Sequence, residues 1–149
     1  MRRRQNQLTD LWTYQTVRLA DKVSRLSLAA ARAEAGLNLS QWRVLAAVAD
    51  QAGRSATEVV AMTPMDKGVV SRSVETLVKA KLLKKQLHPR DGRRVILTLT
   101  ARGAKIQQKI AQRIQHEVSK VEAPDFNSLH FVDLLRRANK AIRDDGSGE

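Results

Sequence analysis

"MDKGVVSRSVETLVKAKLLKKQLHPRDGRRVILTLTARG" runs from Met65 to Gly103. It changes hydrophobic period twice. At 100° per residue Val70, Val74 and Leu77 fall together, while Gly68, Arg72, Glu75 and Lys79 share the opposite side with Ser71 at its edge. That spacing predicts a helix from about Pro64 to Ala80, with Thr63 as N-cap, Pro64 at its first position and Asp66 two positions on. Period-two alternation follows. Leu83 and Leu87 share one face, as do Val95, Leu97 and Leu99, and Asp91-Gly92 is expected at the tip of the hairpin between them. The helical period returns after Thr100, an expected N-cap, with Ile106, Ile110, Ile114 and Val118 four residues apart.

Upstream, Thr9 is the expected N-cap of a long helix whose stripe is Leu19, Val23, Leu26, Ala30 and Ala33, closed by Gly36. Asn38 with Gln41 has the spacing of a capping box, and the helix behind it carries Trp42, Leu45, Ala46 and Ala49 up to Gly53. Ser55 with Glu58 is a second capping box, opening a short helix to about Met62. Downstream, Pro124 is expected to break the long helix. A last helix carries Leu129, Val132, Leu135, Ala138 and Ile142, and Asp144 to Glu149 are expected to fray. The order is four helices, a hairpin and two helices. The fold class is mainly α with a small β-hairpin wing: a winged helix-turn-helix lobe over 38–100, flanked by helices over 8–36 and 101–143 in a single unit, 1–149. The flanking stripes need a cover that a small winged lobe does not supply.

The chain has 149 residues, with 27 Lys plus Arg against 15 Asp plus Glu and a net charge of +12. Such an excess points to a polyanion, most often nucleic acid. With only two Trp, one Tyr and two Phe, the core must be aliphatic. Without cysteine, disulfides, thiolate zinc sites and thiol redox sensing are excluded. His88, His116 and His130 show no metal-ligand spacing, so no metal or cofactor is expected. No phosphate-binding glycine loop or nucleophile-base set is legible, so the chain is not expected to be an enzyme. Met1 to Arg4 are basic but no apolar segment follows, and no run is long enough to span a bilayer. A cytoplasmic protein without a membrane partner is expected.

The polar side of the helix expected from about Pro64 to Ala80 suits entry into a major groove. A guanidinium pairs with guanine O6 and N7, and a hydroxyl with bases or phosphates. Lys67, Gly68, Ser71, Arg72, Glu75 and Lys79 are the candidates there, against the blander reading of a solvated helix with a Glu75–Lys79 pair. On the hairpin the candidates are Arg90, Asp91, Arg93 and Arg94. A thin, cationic loop suits the narrow, electronegative minor groove, and its charge density exceeds what solubility alone requires. Neighbouring strand residues point to opposite faces, so Arg93 and Arg94 should not follow the same line.

The segments "LSQWRVLAAV", "MDKGVVSRSVETLVKAKLL" and "HPRDGRRVILTLTARG" resemble the MarR family of bacterial winged-helix transcription regulators. The likeness covers nearly the whole chain, and V-S-R-x-V-x-x-L, D-x-R and L-T-x-x-G are fairly specific in combination. It implies that Arg93 enters the minor groove with Asp91 as its orienting acid, and that Ser71 and Arg72 read the major groove. It further implies a homodimer through the N- and C-terminal helices, and a ligand-responsive repressor on a pseudo-palindromic double-stranded DNA operator. A small aromatic or phenolic effector is implied as well. Trp12, Tyr14, Trp42 and Arg43 are candidates for it, although Trp42 as core and Trp12 as interface is the plainer reading. One departure is Lys81, where the family usually has glycine. A nucleoid-associated architectural protein without a dedicated operator is the alternative.

Overall fold

The computed structural model describes residues 8–120 and 126–142. A 3-10 turn, Leu8–Asp10, leads into α1 (Trp12–Ala35). Thr9 does not cap it. The N-cap is Leu11, without a side-chain bond, and the Thr9 carbonyl instead accepts from Gln15 Nε2 at 2.6 Å. Gly36 ends α1 at φ 64°, in the left-handed region that glycine enters without a Cβ penalty. Both capping boxes form as their spacing requires. Asn38 and Gln41 open α2 (Leu39–Asp50), and Ser55 and Glu58 open α3 (Ala56–Met62).

The next helix, α4 (Lys67–Lys79), starts later than its sequence signals suggest. The Thr63 hydroxyl donates back to the Val59 carbonyl at 2.7 Å and closes α3. Asp66 is the true N-cap, accepting from the Val69 amide at 2.8 Å, and Pro64 lies in the connection. α4 exits through Lys81 at φ 57°. The lysine thus adopts the conformation that glycine would take there, at a steric cost of about 1 kcal/mol.

β1 (Leu83–His88) and β2 (Asp91–Leu99) form the antiparallel hairpin. Leu83 pairs with Leu99, Lys85 with Leu97 and Leu87 with Val95; the register then slips and His88 faces Asp91. The tip is therefore Pro89-Arg90 rather than Asp91-Gly92. Proline presets the φ that the first central turn position needs, while Gly92, Arg93 and Arg94 form a bulge without Cα partners. The base of the wing is tied to the α2–α3 turn: Leu97 N–H donates to Arg54 O at 2.8 Å and Gly53 N–H to Leu97 O at 3.2 Å.

Thr100 joins the exit of α4 to the start of α5 (Ala101–Ser119). Its amide donates to Leu82 O at 3.0 Å and its hydroxyl to Lys81 O at 2.8 Å, and its Oγ1 accepts from the Gly103 amide at 2.9 Å. The core gathers Ala30, Ala31, Trp42, Leu45, Val59, Val74, Leu77, Leu83, Leu97 and Ile110, with Ile106 and Ile114 packed against it. α5 is thus part of the lobe's own core, and Arg113 pairs with Glu34 of α1 at 3.1 Å.

The chain divides into two compact units between Glu117 and Val118. In the second, α6 (Ser128–Ala141) is capped by Asn127, whose Oδ1 accepts from the His130 amide at 3.0 Å. The Phe126 and Phe131 rings lie 5.7 Å apart. Leu129, Val132 and Leu134 are exposed on α6, as are Val17, Leu19 and Val23 on α1. Met1–Arg4, the break at Pro124 and the 144–149 tail lie outside the described residues.

Candidate nucleic-acid interface

The apolar face of α4 buries Val70, Val74 and Leu77 and so turns the opposite face to solvent. Lys67, Gly68, Ser71, Arg72, Glu75 and Lys79 are all exposed there. The Arg72 guanidinium runs back along the helix toward Gly68; its Nη1 lies 3.4 Å from where a Cβ on that glycine would stand. One flank of α4 meets the wing in an apolar groove of about 290 Å³, lined by Ala56, Ser71, Val74, Lys85, Val95 and Leu97. The other flank meets the start of α2.

The wing separates its arginines. Arg94 Nη2 donates to Glu58 Oε1 at 2.6 Å, binding the wing root to the first turn of α3. The other Glu58 oxygen accepts from the Ser55 amide at 2.6 Å and its hydroxyl at 2.9 Å. The Arg94 hydrogen bond, reinforced by those from Ser55, lowers the Glu58 pKa from 4.5 to about 2, and the pairing pushes that of Arg94 up. A depressed carboxylate stabilises the fold in full above its ordinary value, so this contact persists until the pH falls through about 2. Among the described residues Arg72, Arg90 and Arg93 make no ion pair. Asp91 does not grip a guanidinium: its Oδ1 accepts from the Arg93 amide at 3.1 Å, so it orients the backbone of the bulge. The Arg90 amide donates to His88 Nδ1 at 3.2 Å.

The four effector candidates are not gathered into one pocket within the chain. Trp42 is core, at 9% exposure. Arg43 Nη2 donates to the Ser24 hydroxyl at 3.4 Å. Tyr14 lies ten positions earlier on α1, about 15 Å at 1.5 Å rise per residue, and stacks under Arg18 at 5.8 Å. Trp12 is 60% exposed. Two contributors escaped the sequence reading. Glu58 was legible only as a cap, because its second partner lies 36 residues away. Arg54, whose guanidinium bonds Ala47 O and Asp50, had no local signal. Among the described residues no group of acids and histidines is placed to hold a metal, and no helix is long and apolar enough to cross a membrane.

Residues 35–94, the end of α1 through the wing tip, match the sequence profile of the MarR family. That stretch of the chain is similar to the MarR family. The HTH-type transcriptional regulator BilQ of Clostridium symbiosum (strain WAL-14163) is 33% identical over 82 residues, 55% of this chain. The chain spans 56% of BilQ, little more than half of that relative's length. Among solved structures, CouR of Rhodococcus jostii RHA1, bound to p-coumaroyl-CoA, superposes with a TM-score of 0.80 at 20% identity, covering 97% of this chain and 99% of CouR. Apo MarR of E. coli gives 0.68 at 19% identity, over 89% and 98% of the two chains. BpsR of Bordetella bronchiseptica, whose DNA binding is regulated by 6-hydroxynicotinic acid, gives 0.62 at 27% identity, over 84% and 98%. Among the described residues, six α-helices and a two-stranded wing share the winged-helix fold of these MarR-type structures.

Proposed function

We propose that this chain is a MarR-family transcription regulator that binds double-stranded DNA sequence-specifically as a homodimer on a pseudo-palindromic operator. One observation carries the reading. The solvent face of α4 and the bulge of the wing present Arg72, Arg90 and Arg93 without an acid partner among the described residues, on two elements of a winged helix-turn-helix. Lys67, Gly68, Ser71, Glu75 and Lys79 complete the major-groove face, and Asp91 shapes the loop that carries Arg93. The exposed apolar residues of α1 and α6 are the surfaces assigned to the homodimer. Selection of binding sites from random DNA tests the reading. The expected result is a palindrome with half-site centres roughly 10 bp apart, or a multiple of that. Retention of random DNA with no preferred sequence would replace the regulator by an architectural DNA-binding protein.

The wing arginines should then differ. Arg93→Ala is expected to weaken binding several-fold, and most on A·T-rich flanks, where the minor groove is narrow and electronegative. Arg94→Ala should cost less, because that guanidinium is committed to Glu58. Asp91→Ala should mimic a milder Arg93→Ala, although it deletes a negative charge. Anisotropy titrations on A·T-rich and G·C-rich flanks check this; equal losses for Arg90, Arg93 and Arg94 variants, with tighter binding by Asp91→Ala, would reduce the wing to a uniform cationic patch.

Release by a small aromatic or phenolic effector is the regulatory part of the proposal, supported by the 6-hydroxynicotinic acid that regulates BpsR and the phenolic acyl-CoA bound to CouR. With no cysteine to oxidise, a thiol switch is excluded, and the signal proposed is a molecule that binds the DNA-free form more tightly, with methionine oxidation as the weaker route. Repression, rather than activation, is the direction proposed.

A further inference from the structure

The wing needs a hold that its own ladder does not give. Past the Leu87–Val95 pair the regular register stops, and Gly92, Arg93 and Arg94 bulge from β2. Leu87 and Val95 are both exposed, so packing does not anchor the hairpin there. A two-stranded hairpin by itself is marginal in water. The backbone bonds that tie the wing to the α2–α3 turn are made at Leu97. Three residues nearer the tip, about 10 Å at 3.3 Å per residue, Arg94 Nη2 donates to Glu58 Oε1 at 2.6 Å. Among the described residues, no other hydrogen bond or ion pair joins the wing beyond Ile96 to the rest of the lobe.

We infer that Glu58, which lies on neither of the two DNA-facing elements, is a positioning residue for minor-groove reading: its bond to Arg94 sets where Arg93 stands relative to α4. The inference rests on the DNA reading above and deepens it. Consecutive Cα atoms are about 3.8 Å apart, so holding Arg94 limits where the neighbouring Arg93 can start from. α3 packs on α4, so the recognition helix itself is the reference point. One lobe thereby presents Arg72 and Arg93 at a set separation, and a pre-set wing avoids the ordering cost that a swinging one meets on binding. Stability is not what the pair supplies. The Arg94 and Glu58 side chains are 42% and 46% exposed, and exposed ion pairs add little to the fold as a whole.

Glu58→Gln tests it. Glutamine serves the third position of a capping box as glutamate does, so α3 should keep its start and the melting temperature should hold. Charge counting predicts tighter binding to every duplex, because a negative charge leaves the lobe. Positioning predicts a loss of choice instead. The ratio of affinities for A·T-rich over G·C-rich flanks should fall toward parity, by a smaller factor than in Arg93→Ala, while binding to G·C-rich flanks is kept. Arg94→Gln breaks the same bond from the wing side, leaves α3 untouched and should lower the ratio equally. Arg93→Ala should lower the ratio less in the Glu58→Gln background than in the wild type, since the arginine is already displaced. Anisotropy titrations on both flanks read these ratios. A wild type without flank preference, a wild-type ratio in both single variants, or an undiminished effect of Arg93→Ala in the Glu58→Gln background would each overturn the assignment while leaving the DNA reading intact. Failure of the unmodified chain to bind any duplex would overturn both.

Discussion

Gly103→Ala is expected to destabilise the fold by about 3 kcal/mol, at the upper end of what overpacking costs. A Cβ on Gly103 would stand 2.0 Å from the carbonyl oxygen of Leu82, 2.9 Å from its carbon and 3.2 Å from its Cα. These are backbone atoms, so no rotamer change relieves the clash. The Leu82 carbonyl is also fixed in place, since it accepts the Thr100 amide at 3.0 Å. α5 would have to lift from the exit of α4, taking Ile110 and its neighbours out of their packing. Alanine's helix propensity returns about 1 kcal/mol, too little to compensate. Urea unfolding should show a lower midpoint at an unchanged slope. An unaltered midpoint would mean that α5 is not held by this close approach.

Arg72→Ala is expected to cost about 1–3 kcal/mol of operator binding and to relax preference at one base position per half-site. The side chain lies on the exposed face of α4, reaches back over Gly68 and has no acid to hold it among the described residues. A guanidinium so placed suits the bidentate geometry of guanine O6 and N7. Site selection with the variant separates its roles. A lost guanine preference identifies a base reader, whereas uniformly weaker binding with an unchanged preference makes it a backbone contact.

What the sequence revealed and what it hid divide by distance along the chain. The boxes at Asn38 and Ser55, the Thr100 cap and the Gly36 stop are interactions over three or four residues, and each forms as its spacing requires. The α4 start was misread because Thr63 and Asp66 are both good caps, and only the return bond of Thr63 to Val59 tells which helix it serves. The hairpin tip was misread because Pro89-Arg90 and Asp91-Gly92 are both turn dipeptides, and a register slip between Leu87 and His88 chose the first. For Lys81 the departure from glycine did not alter the exit, since lysine accepts the positive φ. The Glu58–Arg94 pair joins segments 36 residues apart, where periodicity carries no information.

Glu58 spends one oxygen on the start of α3 and the other on the root of the wing. Fraying of that first helical turn and loosening of the wing are therefore coupled through one carboxylate. The root of the loop carrying Arg93 is thus tied to the helix-turn-helix, and its local opening is expected to be slower than that of a free hairpin. Only the stretch beyond Arg94, from His88 around the turn to Arg93, is left to move on its own timescale.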